Sequence, residues 1–434
     1  MNAKTSIENN DACIKPSLME ATLVWAKIGL LSFGGPAAQI ALMHKLIVEQ
    51  LKWLREKDFI NALSFCMLLP GPEAMQLAIY AGWKLHGRVG GLIAGTLFVL
   101  PGAIIILTLA IAYALVGEVS LIQALFLGVK AAVLIIVIQS LLKISKKALN
   151  NGSQKIIALL AFIGIFFLNI SYPLIVLAAA LFGLLNAWHV KNEEVQLFSK
   201  PKGGMSLVLT VLIGLCVWWL PLFAIDYFFE QKILADIGMF FSRLAVVTFG
   251  GAYAVLAYMG QDVVNYWGWL SAGEMMDGLG LAETTPGPLI LVTEFVGFLA
   301  AYREGGLLLG FAGAIITLWV TFVPCFIWIF AGAPYIEWIS SQPKLKGALD
   351  AISGAVVGVI LNLSVWFALH VLFTRVSAQQ HGILTLWQPE LSSIDWRVML
   401  LTILCGILSL KCQWSIGKVL IASSISGMIL VFFT

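Results

Sequence analysis

Long apolar runs alternate with short polar breaks over most of the chain. A helix needs about 20 predominantly apolar residues to cross the hydrocarbon of a bilayer. Runs of this kind cover 89–116, 119–142, 205–225, 305–331, 347–373, 396–410 and 416–433. A further pair, 154–169 and 171–189, is split only by Asn169-Ile170-Ser171-Tyr172-Pro173, whose residues are turn formers. The most polar interior stretch, 190–204, reads as a solvent loop and the boundary between two halves.

Two apolar regions do not read as simple spans. Residues 18–50 are interrupted by Phe33-Gly34-Gly35-Pro36, and residues 57–84 by Pro70-Gly71-Pro72. Glycine is permissive and proline lacks a donor, so both triplets break a helix. The same pair recurs as Phe249-Gly250-Gly251 and Pro286-Gly287-Pro288. Laying 33–72 on 249–288 gives 13 identities in 40 positions, including both triplets and Trp53-Leu54 over Trp269-Leu270. Gly91 and Gly95 also align with Gly306 and Gly310. The chain is therefore expected to be a duplication: a first repeat over 1–189, a polar loop and linking helix over 190–230, and a second repeat over 231–434. The run at 205–225 has no counterpart, adds one crossing, and inverts the second repeat.

Composition makes the class firm. Only 11% of the 434 residues are charged and 60% are hydrophobic, against about 25% charged in soluble domains. Mean hydropathy is +0.95. The expectation is an all-α polytopic membrane protein. A net charge of +3 without a basic stripe gives no reason to expect a nucleic-acid partner. The six cysteines form no CxxC and the five histidines no HxxxH or HExxH, so no metal site and no cofactor are expected. Residues 1–20 are polar and of mixed charge, so the first apolar segment is not expected to be a cleaved signal.

Lysine and arginine positions orient the chain. With the N-terminus cytoplasmic, the basic loops 143–155, 190–204, 332–346 and 411–418 fall inside, and 117–119 and 170–173, which lack Lys and Arg, fall outside. The loop 44–58 carries Lys45, Lys52, Arg55 and Lys57. It falls inside only if the broken segments are re-entrant hairpins, which gives nine full spans. Full crossing gives thirteen. The charge rule favours the hairpins.

These residues resemble the chromate ion transporter (CHR) family. The resemblance is carried by Lys27 through Pro36 (KIGLLSFGGP) with Gln39, Lys52-Trp53, Leu69 through Pro72 and Gly82. In the second half it is carried by Thr248 through Val255, Gly268-Trp269-Leu270 and Ala282 through Pro288. The set is ordered, present twice, and covers nearly the whole chain, as in the long two-domain members. Ala252 departs from the first repeat, which has Pro36 there. The resemblance implies export of chromate across the plasma (inner) membrane of a prokaryote, conferring chromate resistance. It leaves sulfate or another tetrahedral oxyanion open as the cargo.

A site for a tetrahedral dianion needs donors and positive potential at membrane depth. Each broken helix exposes backbone N–H groups at a half-helix N-terminus, the positive end of the dipole. Inverted repeats with discontinuous helices usually place their site between the repeats. The candidate contacts are therefore the breaks themselves: Gly34 and Gly35; Pro70, Gly71 and Pro72; Gly250 and Gly251; Pro286, Gly287 and Pro288. Lys27 and Arg243 each stand six residues before a Phe-Gly-Gly. An intramembrane cation costs about 2.5–3.5 kcal/mol on insertion scales, so it usually faces a partner or a cavity. Lys130 is a third intramembrane base, either an anion contact or a structural partner for a carboxylate. Glu73, Glu283 and, less so, Glu294 could pair with these bases or carry a coupling proton. Ser32, Thr248, Thr284, Thr285, Gln39 and Gln76 could supply neutral donors. Energy would come from the proton gradient or anion exchange. An anion channel and a membrane-embedded enzyme are the rival classes, and a homodimer is left open.

Overall fold

The computed structural model describes residues 15–117, 119–186, 204–229, 231–249, 252–340 and 342–433. Gly250, Gly251 and most of the polar loop 190–204 lie outside the described residues. The chain is helical nearly throughout. Repeat one contains α1 (Leu18–Leu31), α2 (Gly35–Met43), α3 (Glu56–Cys66), α4 (Glu73–Val116), α5 (Ser120–Ala148), α6 (Gly152–Phe166) and α7 (Tyr172–Asn186). The linking helix is α8 (Gly204–Phe229). Repeat two contains α9 (Lys232–Val247), α10 (Ala252–Gln261), α11 (Ala272–Thr284), α12 (Val292–Gly332), the short α13 (Ile336–Ser340), α14 (Pro343–Leu372), α15 (Trp396–Gly406) and α16 (Ile416–Phe433). Six of these elements contain a stretch long and apolar enough to span a membrane, and α6 and α7 are shorter apolar helices.

Polar caps decide where helices begin. Ser17 accepts from Glu20 N at α1, while Asn151 with Gln154 and Ser271 with Glu274 form capping boxes at α6 and α11. Asp395 accepts from Arg397 N and Val398 N at α15. Burial alone would raise its carboxyl, but the Arg397 guanidinium and these amides hold it below the ordinary value.

The long helices α4 and α12 are each folded back on themselves. His86 and Gly87 leave helical geometry in α4, and Gly305 and Gly306 do so in α12. Each helix is thus a short arm (73–85, 292–304) and a long arm (88–116, 307–332) lying side by side. Gly82 touches Gly90, and Gly297 touches Gly313. Gly306 is therefore the structural counterpart of Gly87, with φ +74° and +62°. The alignment of Gly306 with Gly91 does not survive: Gly91 and Gly95 receive the rings of Phe330 and Phe326.

Those same contacts prove the inversion. Residue 91 meets 330 and residue 95 meets 326, so the long arms of α4 and α12 run antiparallel. The Gly87 turn therefore lies at one end of the molecule and the Gly305–Gly306 turn at the other. We call these the near and far ends. The near end also holds Pro16, whose carbonyl bonds His86 at 2.9 Å. Helix α8 runs antiparallel to the long arm of α12: Gly214 meets Ile327, and four residues on Trp218 Nε1 donates to Val320 O. It carries the chain from the near end to the far end before repeat two begins.

Each broken segment returns to the end it came from. Arg303, at the far-end turn of α12, bonds Trp269 O and Glu274, so the loop between α10 and α11 sits at the far end. Helix α3 packs against α13, and Phe65 lies against Gly332 at the near end. In geometry each is a hairpin that enters and leaves at one end, the arrangement that the basic residues of 44–58 favour.

One element departs from an all-helical reading. Strands β1 (Val376–His381) and β2 (Leu384–Pro389) form an antiparallel hairpin between α14 and α15 at the far end. Gly382, with φ +64°, makes its turn. The hairpin is tied to repeat one by Thr385 N donating to Phe167 O at 2.7 Å.

Candidate functional site

The four breaks meet in two pairs, each joining one repeat to the other. Gly287 N donates to Ser32 O at 2.8 Å, and Gly71 N donates to Thr248 O at 2.8 Å. The Phe-Gly-Gly break of each repeat thus receives the Pro-Gly-Pro break of its partner. Local geometry repeats as well. Ser32 Oγ donates to Ile28 O at 2.6 Å and Thr248 Oγ1 to Leu244 O at 2.5 Å. Both hydroxyls are turned back into their own helices, and it is their carbonyls that hold the opposite break.

Gly71 and Gly287 take φ of +118° and +93°, a region that side-chain-bearing residues avoid. Only glycine lets the chain reverse here while its N–H faces the other repeat. The long arm of α4 passes directly across the Ser32–Gly287 pair, with Gly102 against the Pro286 carbonyl.

A glutamine stands at each pair: one bridges both breaks, and the other ties its own Pro-Gly-Pro turn. Gln39 Nε2 donates to Ser32 O at 3.2 Å and to Gly287 O at 2.6 Å. Gln76 Nε2 donates to Pro70 O at 2.7 Å. Both side chains are buried. Both glutamines belong to repeat one; the aligned positions in repeat two are Val255 and Val292. One glutamine follows a Phe-Gly-Gly break and the other a Pro-Gly-Pro break, so each pair still has one.

Lys27 and Arg243 stand five residues before the Ser32 and Thr248 carbonyls, on α1 and α9. Both are exposed, and neither forms an ion pair with a described residue. Arg243 opens into a cavity of about 960 Å³ at the far end. Its wall also includes Tyr172, Tyr258, Asp262, Asn362 and His370, and strand residues Gln380 and Trp387.

The other candidates are placed differently. Lys130 Nζ lies 3.5 Å from Asp277, which also accepts from the Tyr113 hydroxyl at 2.9 Å. Asp277 is buried, so Lys130 neutralises a carboxylate between α5 and α11. Of the two readings open for Lys130, the geometry carries the structural one. Glu283 accepts from the Tyr253 hydroxyl at 2.7 Å. Glu73 begins the short arm of α4, where the helix dipole favours a carboxylate. Thr284 and Thr285 donate to Leu281 O and Ala282 O within the last turn of α11. Both hydroxyls thus bond within their own helix end, with Thr284 exposed and Thr285 buried. Glu294 is fully buried, and neither oxygen has a hydrogen-bond partner among the described residues.

Several residues were not singled out from sequence: Asp277, Tyr113, Tyr253 and Asn362. Asp277 carried a signal, because an intramembrane lysine at 130 demands a carboxylate somewhere. Nothing in the sequence pointed to Tyr253 or Asn362.

The sequence profile of the Chromate transporter family matches residues 19–184 and 235–430, one stretch in each repeat. A probable chromate transport protein of Synechococcus elongatus is 28% identical over 434 residues, covering 95% of both chains. The chromate transport protein of Cupriavidus metallidurans is 29% identical, covering 79% of this chain and 81% of its own. That of Pseudomonas aeruginosa is 30% identical, covering 77% of both. No solved structure matches. The chain belongs to the chromate transporter family, and is a multi-pass transporter, not an enzyme.

Proposed function

We propose that this protein exports chromate across the plasma membrane of a prokaryote by alternating access, with the paired breaks as its central anion site. The observation that supports the reading most is the double cross-repeat pairing, Ser32 with Gly287 and Thr248 with Gly71, with a base close before each that has no ion pair among the described residues. Half-helix N-termini and backbone amides favour an anion there. Lys27 contributes a point charge, and Arg243 a fork that suits an oxyanion.

Direction follows from charge. An inside-negative potential of 100 mV favours outward movement of a dianion by about 4.6 kcal/mol, twice the value for one charge. Coupling to the proton gradient or to anion exchange would add to a movement already downhill. Export would lower cytoplasmic chromate and confer resistance. Sulfate shares the shape and charge of chromate and is the second cargo to test.

The test is uptake of labelled chromate and labelled sulfate into everted vesicles under an imposed potential of either sign. Potential-dependent chromate uptake supports the proposal. Sulfate uptake without chromate uptake moves the cargo to sulfate. Uptake of neither refutes an oxyanion transporter.

A further inference from the structure

We infer that the far-end cavity is an oxyanion site in its own right, in which Asn362 Nδ2 and the Arg243 guanidinium together hold the anion between the paired breaks and the far side. This rests on the oxyanion-transport reading and adds a residue and a location to it.

Asn362 is 0% exposed and lies in the cavity wall. Its Oδ1 accepts from Gln261 Nε2 at 3.4 Å, yet its Nδ2 has no hydrogen-bond partner among the described residues. Gln261 therefore fixes the amide so that the oxygen is used and the two N–H donors are left over. Buried donors are nearly always satisfied, and an orphan one calls for a reason. The same wall holds Arg243, a cation without a salt bridge to any described residue. Two unspent donor groups, one charged and one neutral, in one cavity match what a tetrahedral oxyanion requires.

Depth agrees. Arg243 lies eleven residues below the far-end start of α9, about 16 Å at 1.5 Å per residue. Asn362 lies ten residues before the far-end terminus of α14, about 15 Å by the same rise. By this count the two lie at a similar depth on two different helices. Asp262 shares the wall with Tyr258. Its carboxylate opposes tight retention, as a transport site requires, because an ion bound too well does not leave.

The test is equilibrium dialysis of the purified full-length protein in detergent with labelled inorganic sulfate and labelled chromate. Asn362→Asp keeps the shape, removes the donors and adds a like charge. It should weaken binding about ten- to a hundredfold, the range of a charge-assisted hydrogen bond. Asn362→Ser keeps one donor and should bind more tightly than Asn362→Leu. That comparison decides the matter if the aspartate variant fails to fold. Wild-type affinity in a folded Asn362→Asp protein, or equal affinity in the serine and leucine variants, overturns this site alone. Binding of neither ion by the wild type overturns the oxyanion reading and this site with it.

Discussion

A methyl group at Gly71 tests the break pairing most sharply. Its φ of +118° is strained for alanine by about 1–2 kcal/mol. A Cβ there would lie 2.9 Å from Gln76 Nε2 and 3.0 Å from Cys325 Sγ. The flexible Gln76 amide is the part that can move. Moving it abandons its 2.7 Å bond to Pro70 O and leaves the buried Gln76 amide unpaired, a further ~1–3 kcal/mol. Gly71→Ala should therefore destabilise the Gly71–Thr248 pair by about 2–5 kcal/mol. Cys325 is fully buried and reports directly on that pair. In a background with Cys13, Cys216 and Cys412 replaced by serine, its labelling by a thiol reagent should accelerate by thirtyfold or more, roughly. Gly35→Ala is the control. Its φ is +78°, yet its Cβ meets nothing within 4 Å, so it carries strain alone and at the other pair. Labelling of Cys325 that is equal in the two variants would refute the reasoning.

Other outcomes follow from the same geometry. Lys130→Met leaves Asp277, with its side chain 5% exposed, as an unpaired buried acid, and should cost about 3–5 kcal/mol. Adding Asp277→Asn should restore most of the melting temperature in detergent, and no recovery would mean that the pair is not structural. Arg55→Cys should be labelled only from the face holding the near end, and Tyr266→Cys only from the opposite face. Labelling of both from one face would contradict the re-entrant hairpins. The depressed Asp395 carboxyl stabilises the fold above the ordinary carboxylate range near pH 4, and that stabilisation is lost as pH falls through its folded value. Asp395→Ala should lose a helix cap of about 0.5–2 kcal/mol at neutral pH. The gap in unfolding midpoint between the two proteins should close in acid.

What was legible in the sequence follows from chemistry that acts locally. Glycine and proline mark the breaks because only they tolerate or enforce them, and their recurrence exposed the duplication. The missing counterpart of 205–225 gave the inversion, and lysines 45, 52 and 57 with Arg55 gave the side of the first loop. Which break meets which was not legible, because Ser32–Gly287 and Gly71–Thr248 are long-range pairings between groups every residue carries. The partner of Lys130 was hidden for the same reason. The β-hairpin was missed because Val376–Pro389 is short, polar and lies between two strong apolar runs. Gly306 misled because Gly-x-x-x-Gly spacing is common where helices pack, while its own role is a reversal of the chain.

An oxyanion that crosses between the paired breaks should depend on the charge of Lys27 and Arg243. The most direct test is the initial rate of labelled chromate uptake into everted vesicles holding equal amounts of wild type, Lys27→Ala or Arg243→Ala. The account predicts wild-type uptake that excess sulfate inhibits and a fall of about tenfold or more in each variant, the value of one charge-assisted contact. Chromate uptake at the wild-type rate in both variants would contradict it.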